Sequence, residues 1–248
     1  MIDVLLYAFL LSVILVGIHS YFGLEIIRRG IIFTDLAIGQ MSAVGAAFSI
    51  FFLDGEYIYP ISLAFALIGG YLIAYAAKKT INVEAFIGLL YALGVSTVFI
   101  VLSKTQHGME EFHKLMAADI LFTPLGDIVQ VAIIYSLLGG VILFFHYKTT
   151  GFIKDLLFFV TFAVTVTSSV KLAGVLVVFA ILVSPSLISI SIGKGIHLVN
   201  AWIIGTLLNL IAIILSYNFD FPTGYSIVFC NAIVATTVVL VSKKMRKA

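Results

Sequence analysis

Residues 83–103 read VEAFIGLLYALGVSTVFIVLS, with an acid at the second position and no other charge. An α-helix needs about 20 apolar residues to cross the hydrocarbon of a bilayer, and this run is long enough. KKTIN precedes it and the segment 104–126 follows it. The same pattern recurs along the chain. Runs at roughly 3–27, 31–53, 58–77, 83–103, 127–146, 153–170, 172–193, 196–217 and 223–242 predict nine spans. The breaks fall at RRG, LDGEY, KKTIN, the 104–126 segment, HYKTTG, VKLAG, GKG and NFDFPTG, with Lys171 alone separating the sixth and seventh spans.

Composition points the same way. Of 248 residues 62% are hydrophobic and 10% charged, and the mean hydropathy is +1.21. A soluble domain carries about 45–50% apolar and about 25% charged residues, so this chain has no water-facing surface to offer. No polar stretch is long enough to make a soluble domain, and residues 1–248 are expected to form a single transmembrane domain of all-α class. The N-terminal MIDVLLYAFLLSVILVGIHS lacks a basic leader and reads as a retained span. The net charge of +2 sits as lysines at loop ends and gives no reason to expect nucleic acid. Cys230 is the only cysteine, which rules out an intrachain disulfide, and it lies in an apolar run.

Lysine and arginine orient such a bundle, because they concentrate on the cytoplasmic side. With the N-terminus outside, Arg28, Arg29, Lys78, Lys79, Lys148, Lys154, Lys194, Lys243, Lys244, Arg246 and Lys247 fall inside, and only Lys104, Lys114 and Lys171 of the 14 basic residues fall outside. One span more or fewer would scramble this separation. The asymmetry therefore predicts an odd span number and a cytoplasmic C-terminus.

Catalytic motifs are missing. There is no G-x-x-x-x-G-K-[ST], no H-E-x-x-H and no G-x-S-x-G, so the chain has no ATP-binding loop of its own and no hydrolase signature. It is not expected to be an enzyme. The informative residues are instead polar groups inside greasy spans. Asp35 and Gln40 lie in TDLAIGQMSAVG, residues 34–45. Polar side chains at membrane depth are costly and must find partners or a function. Asp35 reads either as an acid favoured at a helix N-terminus or paired with Arg28 or Arg29, or as an oxygen ligand on a cation path. Gln40 reads as interhelical glue or as a second station on such a path. Five positions separate the two, about 140° around an ideal helix, so they do not share one face. Gly39, Ser42, Ala43, Gly45, Ala46 and Ala47 make the same span suited to close packing among others.

Three further features carry paired readings. Ser184, Pro185 and Ser186 are expected to break the seventh span, either as a plain kink or as a kink lining a pathway. His107, Glu110, Glu111 and His113 put imidazole and carboxylate together in the 104–126 segment, which suits a metal site or a docking surface, but their order matches no tight ligand spacing. In that segment LMAADILF is expected as a short interfacial helix. His19 could line a path or cap a packing contact, while His146 and His197 sit at span ends.

Four stretches together resemble one family. AGVLVVFAILVSPSLIS (173–189) resembles its glycine-bearing helix that ends in a proline turn. LSYNFDFPTGYSIV (215–228) resembles its S-Y-x-x-D-x-P-x-G-x-x-I-V pattern at Ser216, Tyr217, Asp220, Pro222, Gly224, Ile227 and Val228. VEAFIGLLYALGVSTVFIVLS (83–103) resembles its E-x-x-I-G span, and RRGIIFTDLAIGQMSAVGAAFS (28–49) the start of its second span. The family is the metal-ion ABC transporter permeases, importers of zinc, manganese and iron. The similarity extends over nearly the whole chain.

The resemblance implies a multi-pass protein of the cytoplasmic membrane. It implies a homodimer, a separate cytoplasmic ATP-binding subunit, an extracytoplasmic metal-binding protein, and a divalent Zn, Mn or Fe ion as cargo with no permanently bound cofactor. It also implies a metal contact at Asp35. In the better-known importers a histidine follows that aspartate four residues later; here Gly39 stands there and Gln40 follows. A set of carboxylate and amide oxygens is harder and shifts preference toward Mn over Zn, unless the site is lost. The family's cytoplasmic segment with an aspartate-proline-glutamate helix is also missing: only HYKTTGFIKDLLFF (146–159), with its short connection at 147–152, stands between the fifth and sixth spans. Either another loop engages the ATPase or the chain works uncoupled, as a facilitator or a transporter for another solute; a reading of a different class is a non-transporting membrane scaffold or assembly subunit.

Overall fold

The computed structural model describes residues 2–79, 82–117, 120–146, 152–193 and 195–242. Lipid offers no hydrogen-bond partners, so each spanning segment must satisfy its own backbone, and a helix does this within one segment. The described residues accordingly form ten α-helices and one turn of 3-10 helix, with no strand among them. The helices are α1 (Ile2–Arg29), α2 (Thr34–Phe52), α3 (Ile58–Lys79), α4 (Val83–Leu102), α5 (Gly108–Met116), α6 (Leu125–His146), α7 (Phe152–Ala173), α8 (Val175–Ile192), α9 (His197–Phe219) and α10 (Thr223–Val241). All except α5 are long and apolar enough to cross a membrane, nine in number among the described residues.

Three local expectations are corrected. Lys171 does not separate the sixth and seventh spans. It lies exposed in the last turn of α7, and the chain breaks at Gly174, whose φ is +83°. A lysine can carry its charge away on a long stem and suits a helix C-terminus, whereas a left-handed glycine ends the helix geometrically. Pro185 does not break the next span either, because α8 runs through it from Val175 to Ile192. It withholds one N–H, which leaves the Ile181 carbonyl without its helical partner. In the 104–126 segment the helix is GMEEFHKLM rather than LMAADILF, and Ile120–Phe122 is the 3-10 turn. The acids of α5 are in its first turn and His113 and Lys114 in its last, as the helix dipole favours. Its Phe112 ring lies edge-on to Phe99 of α4, centroids 5.9 Å apart.

The chain divides into two compact units. The first comprises Met1–Ile32, Asp119–Ala132 and Leu176–Ala248. Here α1 packs on α9, and α9 on α10. Glycines set the closeness: a Cβ on Gly23 would overlap the Leu182 carbonyl and Ser186 Oγ, and one on Gly205 would stand 2.9 Å from Pro185 Cγ and Val16 Cγ1. The α9–α10 hairpin closes through the stretch that carries the S-Y-x-x-D-x-P-x-G pattern. Asp220 is left-handed at φ 56° and caps α9, with its N–H donating to the Ser216 carbonyl; Ser216 Oγ donates to the Phe221 carbonyl at 2.7 Å.

The second unit comprises Phe33–Ala118 and Ile133–Val175. Its centre is α2, which packs against α3, α4 and α7. Small residues make this position tenable. A Cβ on Gly45 would lie 2.7 Å from the Ile61 carbonyl oxygen and Ser62 Cα, so α2 and α3 touch backbone to backbone. Between helices in lipid there is no hydrophobic contrast, and such van der Waals fit is the main source of association.

Candidate functional site

The first turn of α2 begins at Thr34 with no side-chain cap. A carboxylate from another helix serves there: Glu84, in the first turn of α4, accepts a hydrogen bond from Phe33 N at 3.4 Å through Oε1. Around this junction several acceptors are buried without a partner among the described residues. They are Thr34 Oγ1, both carboxylate oxygens of Asp35, and Glu84 Oε2. Asp35 is 1% exposed. Arg29, one of the two expected partners, bonds Glu25 within α1 at 3.0 Å. An uncompensated buried carboxylate is expensive in a medium of low dielectric, and a native fold that keeps one has a reason.

Gln40 is fully buried and has one partner that no sequence pattern announced. Its Nε2 donates to Met116 Sδ at 3.6 Å, at the end of α5, while its Oε1 has no partner. α4 packs closely on the base of the same residue, since a Cβ on Gly94 would lie 2.7 Å from Gln40 Cβ. Position 39 faces a filled space. A Cβ there would meet Val175 Cγ1 at 3.2 Å and Val170 Cγ2 at 3.6 Å, so two valines occupy the direction an imidazole would take. The unpartnered oxygens of Asp35 and Gln40 on α2 and of Glu84 on α4 are hard donors of the type that cations take.

The other expected residues are placed elsewhere. Ser184, Pro185 and Ser186 are buried in the first unit, where Ser186 Oγ donates to the Ser20 carbonyl at 3.4 Å and Pro185 fills the notch at Gly205. His19 Nδ1 donates to the Leu15 carbonyl at 2.8 Å, one turn earlier in α1. His197 is held at the start of α9 by Ser189, whose Oγ donates to its carbonyl at 2.9 Å.

His107, Glu110, Glu111 and His113 do not converge. Lys114 reaches Glu110 at 2.9 Å and Glu111 at 3.1 Å, and His107 Nδ1 stays 4.0 Å from Glu110. The hydrogen bond from Lys114 holds the Glu110 carboxyl below its usual range, and the same carboxylates hold the Lys114 ammonium above its own. Among the described residues no group of three or more His, Cys, Asp or Glu could hold a metal. His107 and Glu111 instead line an open groove of about 660 Å³ with Asp54, Lys104 and Gln106. The shortened connection between the fifth and sixth spans falls on residues 147–151, outside the described residues, as do the C-terminal lysines.

Nine helices among the described residues, each long and apolar enough to cross a membrane, define a multi-pass membrane protein. The chain belongs to the ABC 3 transport family, whose model matches residues 1–242; it is a permease of ABC transporters. Two solved structures share the fold. PsaBC from Streptococcus pneumoniae, in complex with Fab, superposes with a TM-score of 0.78 at 17% identity, covering 97% of this chain and 92% of that one. An inward-facing conformation of a metal-chelate type ABC transporter superposes with a TM-score of 0.69 at 15% identity, covering 94% and 84%. No curated protein matches the chain by sequence.

Proposed function

We propose that this chain is the membrane permease of an ABC-type importer for divalent metal ions, Zn, Mn or Fe. The observation that carries the reading is Asp35: a carboxylate with both oxygens buried and unpartnered, at the start of the most enclosed span of the second unit. A dehydrated cation is the ligand that such a group lacks. Gln40 Oε1, five positions further along α2, is a second acceptor that an ion passing along the span would meet. The donor set is oxygen only, which favours Mn over Zn. Transport proceeds by alternating access in a homodimer, driven by ATP hydrolysed in a separate cytoplasmic subunit and supplied by an extracytoplasmic metal-binding protein. Family membership and the likeness to a metal-chelate type ABC transporter support this arrangement. The test is uptake of manganese(II), zinc(II) and iron(II) by cells carrying the whole transporter. Asp35→Ala and Gln40→Ala should each lower uptake at least about tenfold, the size expected when a charge-bearing contact is lost. Unchanged uptake in both variants removes these residues from the mechanism.

A second reading rests on one feature, the short 147–152 connection. In it the permease is uncoupled from an ATPase and acts as a facilitator, or as a scaffold that moves nothing. Co-purification of an ATP-binding subunit with the tagged chain separates the two.

A further inference from the structure

Gln40 and Met116 are 76 residues apart in sequence and meet inside the second unit, with α2 contributing the amide and the end of α5 the thioether. A thioether sulfur only accepts hydrogen bonds. The contact therefore decides which way the amide points: Nε2 must face Met116, and Oε1 is turned to the opposite side, where it has no partner. With the sulfur gone, the amide could rotate and offer N–H groups where it now offers oxygen.

The rest of the structure holds this contact in place. Ala117, the next residue, packs against the left-handed Gly174: a Cβ there would lie 2.6 Å from Ala117 Cα and 2.7 Å from the Met116 carbonyl carbon. At the other end of α5 Gly108 lies so close to the Leu102 carbonyl that no side chain fits between them. Gly94 presses on Gln40 from α4. Glycines at three approaches thus bring a segment that sequence places between two spans onto the buried amide of a third.

We propose that Met116 is a positioning residue for the transported cation: its sulfur pins the Gln40 amide so that Oε1 is the atom offered to the ion. This rests on the metal-permease reading above. Met116 itself does not ligate the ion, and it acts through Gln40.

The experiment is a double-mutant cycle on initial rates of manganese(II) and zinc(II) uptake, in cells with the whole transporter, normalised to permease in the membrane. Met116→Leu keeps the volume and removes the acceptor. It should lower uptake at limiting metal about tenfold, comparable to losing one well-made hydrogen bond to a polar ligand, and shift the manganese-to-zinc ratio in the same direction as Gln40→Ala. The double variant should be no worse than Gln40→Ala alone, since the two substitutions remove one interaction. Met116→Gln, which keeps an acceptor, should stay within about threefold of the parent. Parent-like uptake in Met116→Leu overturns the proposal, and so do effects that multiply in the double variant, which is how a purely structural methionine would behave. If Met116→Leu fails to reach the membrane, a tenfold loss in Met116→Gln overturns it instead. Absence of uptake by the parent chain removes the metal-permease reading itself, a result distinct from all of these.

Discussion

At the scale of single residues, each unit buries an amide whose oxygen has no partner among the described residues, Gln40 Oε1 in the second and Asn231 Oδ1 in the first, but their N–H groups differ in what they reach. In the first, Asn231 of α10 donates to Asn209 Oδ1 of α9 at 2.8 Å and to the Ile227 carbonyl at 3.0 Å, which joins two neighbouring spans. Interhelical hydrogen bonds of this type contribute about 1 kcal/mol in membranes. Asn231→Leu should therefore destabilise the protein by about 1 kcal/mol or somewhat more, because Asn209 then stays buried with no partner from α10. Replacing both asparagines by leucine should restore part of that loss. Thermal unfolding of the three variants in detergent measures the order; a double variant less stable than the single one contradicts this account.

At the scale of elements, α5 shows how charge shapes a short helix at the edge of the membrane domain. Lys114 sits one turn after Glu110 and bonds both Glu110 and Glu111. The carboxyl of Glu110 titrates below its ordinary 4.5, first because of the hydrogen bond from Lys114 and then its charge. A depressed carboxylate supports the folded helix above its ordinary value and loses that support as pH falls through the lowered one. The ammonium of Lys114 titrates above its ordinary 10.5, so its contribution holds below that value and fades as pH rises through the raised one. The pairing is thus complete from mildly acidic to mildly alkaline pH, and added salt weakens it because all three groups are exposed or nearly so. Lys114→Met should move the Glu110 titration upward toward 4.5. A carbon-detected NMR titration of labelled protein reads this directly, and an unmoved midpoint would show that Lys114 is not the cause.

At the scale of the whole molecule, the distribution of lysine and arginine predicts an outside N-terminus and a cytoplasmic C-terminus. A green fluorescent protein fused after residue 248 should fluoresce, and alkaline phosphatase fused within 104–116 should be active. The reverse pattern would invert the bundle and place α5 on the cytoplasmic side. Where the sequence leads one to expect a single domain, the chain divides into two compact units, each drawing on separated parts of the chain. The central helix of the second, α2, owes its place to small residues, and Gly45 against Ile61 and Ser62 is the closest case on its α3 side.

Much of the fold was legible beforehand. The expected span 83–103 became Val83–Leu102, and 58–77 became Ile58–Lys79, because crossing a bilayer is a local property that each segment must satisfy alone. Asp35 and Gln40 were legible for the same reason, as polar groups where hydrocarbon allows none without cause. The end of α7 was misplaced at Lys171, since a charge is more conspicuous in sequence than the left-handed backbone of Gly174. Glu84 under α2 and Met116 against Gln40 left no sequence signal at all: an acid that opens a helix and a methionine in a connecting segment are ordinary features of any chain. The amino-acid sequence alone determined how many spans there are, what they are made of and which polar groups must be hidden. Which helix lies against which, and which atom of Gln40 is left free, only the tertiary structure decided. In lipid every apolar face is equivalent, so partners are chosen by shape at glycines and by single hydrogen bonds that form only once the helices have met.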